Sequence, residues 1–160
     1  MNILDYAMQM EKDGEDYYRQ LARQTTDKGL RTILTMLADE ELKHFNTVQK
    51  MKTEKLQMAE TSVLTDAKNV FVQMKESKEN FEFDGGQIQL YKKAQDIEKK
   101  SRDFYLEKAA QVEEEYRKQL FRELAEEERK HYFLLENMVE FVSRPAHWLE
   151  NAEFFHLEEY

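Results

Sequence analysis

The chain has 160 residues, of which 41% are hydrophobic, and this length suits one domain with a complete core. Its formal net charge of −9 argues against nucleic acid as a partner, because binding of phosphate groups needs a basic surface. The chain contains no cysteine, which excludes disulfides, thiolate nucleophiles and cysteine-ligated metal centres.

The composition also favours helices and shows no targeting segment. Glu, Lys, Gln, Leu, Ala and Met dominate, with only 4 Gly and 1 Pro. The N-terminus lacks the basic and apolar regions of a signal peptide, and no stretch approaches the ~20 apolar residues of a membrane span. We therefore predict an all-α protein with no membrane partner and a cytoplasmic location.

Two long amphipathic helices are predicted in the first part of the chain, over about residues 2–24 and 28–58. Apolar residues recur at spacings of three and four, which is typical of a helix with one buried face. Thr25-Thr26-Asp27 predicts a short turn that ends in a capping residue. The first stripe includes Met10 and Tyr17.

The next stretch, about residues 59–86, loses this pattern and is interpreted as a long crossover. Ser62 through Met74 can form a short helix within it, and Asp84-Gly85-Gly86 is a helix breaker. A third helix is predicted over about residues 87–111. Its inward stripe begins at Leu90 and includes Ile97 and Phe104.

The fourth helix is predicted over about residues 113–143. Arg144-Pro145 ends it, since the residue before proline avoids helical angles. The remaining segment, residues 144–160, is rich in aromatic residues. We therefore expect this tail to pack on the bundle or on a partner chain.

A Glu-x-x-His motif occurs twice, 87 residues apart, as Glu41-x-x-His44 and Glu128-x-x-His131. Residues three apart lie on one face of a helix. The same offset joins six further identical pairs: Ala7 and Ala94, Glu11 and Glu98, Lys12 and Lys99, Asp16 and Asp103, Tyr18 and Tyr105, Ala22 and Ala109. This repetition indicates a duplication. We predict an antiparallel four-helix bundle over 1–143, built from helical hairpins at about 2–58 and 87–143.

Acidic and imidazole side chains interrupt the apolar stripes of all four helices. The residues at these positions are Glu11, Glu41, His44, Glu98, Glu128 and His131. An unpaired charge buried in a bundle costs several kcal/mol, whereas two divalent cations would neutralise four carboxylates. Carboxylate with imidazole suits iron or manganese. One glutamate from each of two helices and Glu-x-x-His from the other two is the di-iron carboxylate arrangement.

The complete motif set resembles the ferritin-like superfamily, and specifically its rubrerythrin-like branch, over about residues 2–143. The resemblance implies two iron ions, with manganese or a mixed pair as the alternative. It implies one metal held by Glu11, Glu41 and His44, and the other by Glu98, Glu128 and His131. Glu41 and Glu128 would be the bridging ligands.

The sequence departs from rubrerythrin itself in two respects. No cysteine-containing rubredoxin module follows the bundle, so electrons would come from a separate protein such as a rubredoxin. Ser101 stands where rubrerythrins carry the additional glutamate that accompanies the iron movement of their peroxidase cycle. The six-ligand set is closer to the ferroxidase centre of bacterioferritin. Gly14, the equivalent of Ser101, is also small, and together they predict space for a small oxidant.

Four further residues are candidates for positioning the metal ligands. Tyr18 and Tyr105 lie two helical turns after their glutamates, where a phenol could hydrogen-bond a ligand carboxylate across the bundle. Ordinary core aromatics are the alternative interpretation. Glu40 and Glu127 could orient the opposite histidine, although a solvated position is the favoured interpretation for both.

The leading functional hypothesis is a non-haem di-iron oxidoreductase that reduces hydrogen peroxide or dioxygen in oxidative-stress defence. One alternative is a ferroxidase or iron-handling protein, in which iron is the substrate. Another is a metal-binding bundle without turnover. We also expect a homodimer or a higher homo-oligomer, because an aromatic tail favours docking onto a neighbour.

Overall fold

The computed structural model of the protein describes residues 2–55, 58, 60–83 and 85–159. Asp84 of the predicted helix breaker and Tyr160 at the end of the tail lie outside the described residues. The prediction of an all-α fold is confirmed, since the described residues form helices and contain no strand. None of these helices is long and apolar enough to cross a membrane.

Four long helices form the bundle. They are α1 (Ile3–Gln24), α2 (Lys28–Met51), α4 (Gly86–Gln111) and α5 (Glu115–Ser143). The crossover carries α3 (Val63–Ser77), and the tail forms α6 (Pro145–Glu150) and a 3-10 segment (Glu153–Glu159). Within the bundle α1 packs mainly along α2, and α4 packs mainly along α5.

The first two helices begin at side-chain caps. Asn2 Oδ1 accepts a hydrogen bond of 2.9 Å from the Asp5 backbone amide. Asp27, the predicted capping residue, accepts one of 2.8 Å from the amide of Leu30. A cap of this kind satisfies one of the backbone donors that the first turn of a helix leaves free.

The prediction that α2 continues to about Met58 is wrong, because the helix ends at Met51. Met51 is completely buried, whereas the four residues that follow it, 52–55, are all exposed. They are Lys-Thr-Glu-Lys, so no apolar side chain continues the buried stripe. The amides of Lys52 and Glu54 bond to carbonyls of the last turn and close the helix.

The inward position predicted for Leu90 is also wrong. Leu90 is 36% exposed, and the neighbouring Tyr91 is 1% exposed and packs in the core. Positions three and four residues before Ala94 both fit a helical stripe, and the larger aromatic ring occupies the buried one. The Leu90 carbonyl instead accepts a hydrogen bond of 2.9 Å from the hydroxyl of Tyr17.

The hydrophobic core consists of two clusters, one toward each end of the bundle. The larger includes Leu34, Phe71, Phe141 and Trp148, and the smaller includes Leu4, Met51, Tyr105, Phe121 and Leu124. On each long helix, the predicted metal ligands lie between residues of the larger cluster and residues of the smaller one. The core therefore seals the candidate site from both ends.

The tail packs on the chain's own helices, around Phe71 of α3. The Phe71 ring lies 5.6 Å from Trp148 of α6 and 6.1 Å from Phe154 of the 3-10 segment. Arg144 and Glu153 join the two tail elements through two hydrogen bonds of 2.7 Å. The tail and α3 thus extend the larger core cluster beyond the four-helix bundle.

We predict that Trp148→Ala lowers the free energy of unfolding by about 3–5 kcal/mol, the usual cost of truncating a buried large aromatic side chain. Urea unfolding followed by circular dichroism would measure the loss. Phe155→Ala, in the same tail but at a side chain that is 47% exposed, should cost far less. Equal losses for the two variants would contradict docking of the tail through Trp148.

Candidate metal centre

The six predicted metal ligands converge at the middle of the bundle. Each long helix contributes one glutamate, and α2 and α5 each add a histidine one turn further along. All six residues are buried, with exposures between 0% and 3%: Glu11, Glu41, His44, Glu98, Glu128 and His131. Their stripe positions between the two core clusters therefore point the six side chains at one another.

The donor atoms form two overlapping groups, each able to hold a metal ion. One group is Glu11, Glu41, His44 and Glu128, and the other is Glu41, Glu98, Glu128 and His131. Within each group the potential ligand atoms all lie within 4.8 Å of one another. Glu41 and Glu128 belong to both groups, and they are the residues that the resemblance implies as bridging ligands.

The two histidines have equivalent surroundings. His44 Nδ1 lies 2.7 Å from Oε1 of Glu128 and 3.5 Å from Oε2 of Glu11. His131 Nδ1 lies 3.2 Å from Oε1 of Glu41 and 3.5 Å from Oε1 of Glu98. The imidazole rings are nearly parallel, with 6° between their planes and 5.5 Å between their centroids. Both Nδ1 atoms thus face carboxylates of the cluster.

Several donor atoms of this cluster lack hydrogen-bond partners. Among the described residues, seven buried side-chain atoms make no hydrogen bond, and five of them belong to the six predicted ligands. These five are Glu11 Oε2, His44 Nδ1, Glu98 Oε2, Glu128 Oε1 and His131 Nε2, of which His44 Nδ1 and Glu128 Oε1 face each other at 2.7 Å as an ion pair. An unsatisfied buried polar atom costs ~1–3 kcal/mol. Divalent cations would remove much of that cost, because all five atoms belong to residues of the two donor groups.

Without bound cations, the raised pKa values of Glu41, Glu128 and His44 favour protons on these side chains. Burial, and then the neighbouring carboxylates, hold the pKa values of Glu41 and Glu128 well above the usual range. Burial alone would also raise the pKa of Glu11, but the charge of His44 and the hydrogen bonds with Glu41, His44 and Tyr105 together outweigh burial and lower that pKa. Burial disfavours the charged form of His44, yet the adjacent Glu11 raises its pKa. This distribution of charge is what a cation-binding cluster shows without its cations.

Two tyrosines connect the hairpins through the site. The Tyr18 hydroxyl donates a hydrogen bond of 2.6 Å to Glu98, and the Tyr105 hydroxyl donates one of 2.5 Å to Glu11. Both rings are buried, and burial, followed by the charge of the carboxylate partner, raises the pKa of each phenol. Each phenol therefore stays protonated and fixes one carboxylate oxygen of the opposite hairpin.

The solvated position favoured for Glu40 and Glu127 is wrong, because they are 7% and 6% exposed. Each pairs with a lysine one turn along its helix, Lys43 at 3.4 Å and Lys130 at 3.8 Å. Neither carboxylate hydrogen-bonds a histidine in the part of the chain that the structure describes. Instead both line a polar cleft of about 400 Å³ that reaches His44.

Gly14 lets the Glu41 carboxylate approach α1. A methyl group added at Gly14 would lie 3.2 Å from Oε2 of Glu41 and 3.4 Å from its Cδ. Its equivalent on α4, Ser101, is likewise buried, at 4% exposure. Glycine in the middle of a helix costs ~1 kcal/mol relative to alanine. The close carboxylate accounts for a glycine at this position.

The surface beside these two small residues was not predicted from the sequence. Met10, Tyr17, Ile97 and Phe104, all placed in buried stripes, are half-buried and line a cleft between α1 and α4. Their spacing is the same as that of core residues. Only the separation between α1 and α4 shows that the two helices leave a gap here.

Comparison with known proteins agrees with the geometry of the site. The family model described as Rubrerythrin matches residues 2–139. The chain belongs to the rubrerythrin family. The match contains all six predicted ligands of this rubrerythrin-family chain and ends before the tail. A search of curated proteins and a search of solved structures gave no match.

We predict that divalent manganese or anaerobic ferrous iron raises the melting temperature of the metal-free protein. Saturation at one hundred times the dissociation constant should give a rise of about 5–10 °C for a chain of this size. Glu98→Gln should reduce the shift, whereas Glu107→Gln, whose side chain on the same helix is 63% exposed, should leave it unchanged. No shift with either metal would contradict a cation site in the bundle.

We further predict that Gly14→Ala weakens metal binding at least tenfold, because the new methyl group would displace the carboxylate of Glu41. Titration with cobalt(II), followed by visible absorption, measures the affinity. Gly85→Ala is the matched control, since a methyl group there meets no atom within 4 Å. The metal-free Gly14→Ala protein should melt close to the parent, so unchanged cobalt affinity would refute the role of Gly14.

Proposed function

We propose that this rubrerythrin-family protein is a non-haem di-iron carboxylate protein that reduces hydrogen peroxide or dioxygen. The observation that carries the proposal is the pair of buried donor groups that share Glu41 and Glu128. Each group contains three carboxylates and one imidazole, a hard donor set that suits iron or manganese. Membership of the rubrerythrin family favours iron.

The residues fit two cations by charge as well as by position. Glu11 and His44 would hold one ion, Glu98 and His131 the other, with Glu41 and Glu128 shared by both. Four carboxylates carry four negative charges when ionised, and two divalent cations balance them. No uncompensated charge would then remain in the core, where each would cost several kcal/mol.

A pair of redox-active ions would supply the two electrons that, with two protons, convert hydrogen peroxide into two water molecules. The protein's own contribution is to position and shield this chemistry. The phenols of Tyr18 and Tyr105 hold Glu98 and Glu11 in place and keep their protons. The two core clusters exclude water along the bundle axis. Gly14 and Ser101 leave space at the α1–α4 side.

The electrons would come from a separate carrier protein, such as a rubredoxin, because the chain has no cysteine with which to build an electron-transfer module of that type. Reduction would then be bimolecular and would depend on the carrier concentration. We also propose that the protein assembles as a homodimer or a higher homo-oligomer. The aromatic tail supports this assembly, since the side chain of Phe155 is 47% exposed.

Ferroxidase or iron-handling activity is the second candidate, and Ser101 favours it. Ser101 is buried at 4% exposure where rubrerythrins carry a further glutamate, so the site has six ligands rather than seven. In this alternative ferrous iron is the substrate and must enter and leave repeatedly. A metal-binding bundle without turnover is the third candidate, and it predicts stabilisation by metal with no reaction.

The test is stopped-flow absorption of the di-ferrous protein mixed with peroxide or with dioxygen. We expect oxidation much faster than that of free ferrous iron. Tyr18→Phe should slow it about tenfold or more, because a hydrogen bond to a charged group contributes ~1.5–3 kcal/mol. The exposed Tyr132→Phe serves as the control.

The outcomes separate the three candidates. Fast oxidation followed by re-reduction and further turnover supports the oxidoreductase. Repeated turnover with excess ferrous iron, in which the ferric product leaves the site, supports the ferroxidase. If neither oxidant reacts faster than with free ferrous iron, the proposed redox function is refuted and the metal-binding bundle remains.

A further inference from the structure

The α1–α4 cleft is a cavity of about 450 Å³ beside the candidate metal centre. Its lining includes Met10, Gly14 and Tyr17 of α1 and Ile97, Ser101 and Phe104 of α4. We propose that this cleft binds a small neutral aromatic molecule, of the size of a substituted phenol. This inference deepens the proposed function, on which its relevance to redox chemistry rests, by naming an organic ligand for that site.

The size of the cleft exceeds what the oxidants need. Hydrogen peroxide and dioxygen have two heavy atoms each, whereas pockets for small organic ligands measure ~300–1,000 Å³. Such pockets are lined by apolar and aromatic side chains with a few polar groups. The α1–α4 cleft has this composition, with five large apolar side chains among its ten lining residues.

The floor of the cleft lies directly against the candidate metal centre. Gly14 is part of the floor, and the Glu41 carboxylate is so close behind it that an added methyl group would lie 3.2 Å from Oε2. Ser101 forms the equivalent part of the floor on α4. A glutamate at position 101 would put a charged side chain into this space. The serine therefore leaves an uncharged floor with one hydroxyl donor and acceptor.

The walls favour an aromatic ligand. Tyr6 and Phe104 lie in ring contact, with centroids 4.9 Å apart and planes tilted by 31°. Tyr17 adds a third ring, and Met10 adds a sulfur atom that makes favourable contacts with ring edges. A further ring can be accommodated in the tilted and edge-on arrangements that aromatic pairs prefer.

The charges favour a neutral ligand. Asp13 and Lys100, at equivalent positions on the two helices, are the charged residues that line the α1–α4 cleft in the described structure, and their charges cancel. A hydroxyl on the ligand can hydrogen-bond to the side chain of Ser101 or Gln9, both of which line the cleft. A neutral phenol therefore matches the cleft better than a carboxylate of the same size.

Binding of p-cresol to the full-length protein tests the proposal. We expect a dissociation constant on the order of 0.1–1 mM by calorimetry and ligand-observed NMR. Ile97→Trp and Met10→Trp fill the cleft from opposite walls, and each should weaken binding at least tenfold. Leu106→Trp is the control, since Leu106 is 49% exposed on α4 and does not line the cleft. Circular dichroism and melting temperature confirm that each variant is folded.

Comparison ligands test the stated chemistry. Cyclohexanol matches the ring size of a phenol without its aromatic character, and benzoate retains the aromatic ring but adds a negative charge. Both should bind at least threefold more weakly than p-cresol. Equal binding of cyclohexanol or benzoate would overturn the assignment of a neutral aromatic ligand.

Manganese-loaded protein tests the position of the ligand. Paramagnetic manganese should enhance the relaxation of bound p-cresol protons strongly compared with zinc-loaded protein. Binding without this enhancement would overturn the location beside the metal centre, as would an affinity for p-cresol that neither filling variant lowers relative to the parent protein. If p-cresol does not bind and sedimentation shows a dimer that Ile97→Trp dissociates, a second copy of the chain occupies the cleft and the proposal is wrong.

The design distinguishes failure of this inference from failure of the proposed function. Binding of p-cresol to the metal-free protein depends only on the cleft. If the protein binds p-cresol but binds no metal, manganese will not enhance the relaxation of p-cresol. That result would refute the metal centre and would retain the cleft as a binding site. Rapid oxidation of the di-ferrous protein without p-cresol binding would retain the redox function and refute the organic ligand.

Discussion

Burial of four carboxylates and two imidazoles at one level of the bundle is the constraint on which the rest of the structure depends. A small domain is stable by only ~5–15 kcal/mol, and each unpaired buried charge would cost several kcal/mol of that. The raised pKa values of Glu41, Glu128 and His44 favour protons on these side chains, which would neutralise part of the cluster when no cation is bound. Two apolar clusters, one at each end, must supply the remaining stability. The larger cluster includes residues of α3 and of the tail, which add buried apolar surface to it.

The same constraint explains the small and hydroxylated residues around the site. Tyr18 and Tyr105 reach across the bundle, so that each hairpin orients a carboxylate of the other. Glycine at position 14 has a lower helix propensity than alanine, but its lack of a side chain allows the Glu41 carboxylate to lie against α1. One consequence is a thin wall between the cluster and the α1–α4 cleft. An organic molecule in that cleft would sit one backbone layer from the centre, which connects the two proposals physically.

Much of the architecture was predictable because it follows from local periodicity. The positions of Glu41 and His44 within an apolar stripe, and the repetition of that pattern at Glu128 and His131, predicted which side chains face inward. Periodicity did not predict the buried residue where two neighbouring positions fit the helical stripe equally well, as for Leu90 and Tyr91. It was also insufficient where the pattern stopped, since α2 ends at Met51 once its neighbours become polar.

The sequence by itself determined the helical class, the members of the candidate metal cluster and the match between the two halves. These depend on residue type and on spacing along one helix. Only the tertiary structure decided that Glu40 and Glu127 are buried, that the tail packs around Phe71, and that α1 and α4 leave a cleft. These features depend on the distances between helices and on what covers each face, and a period of 3.6 residues specifies neither.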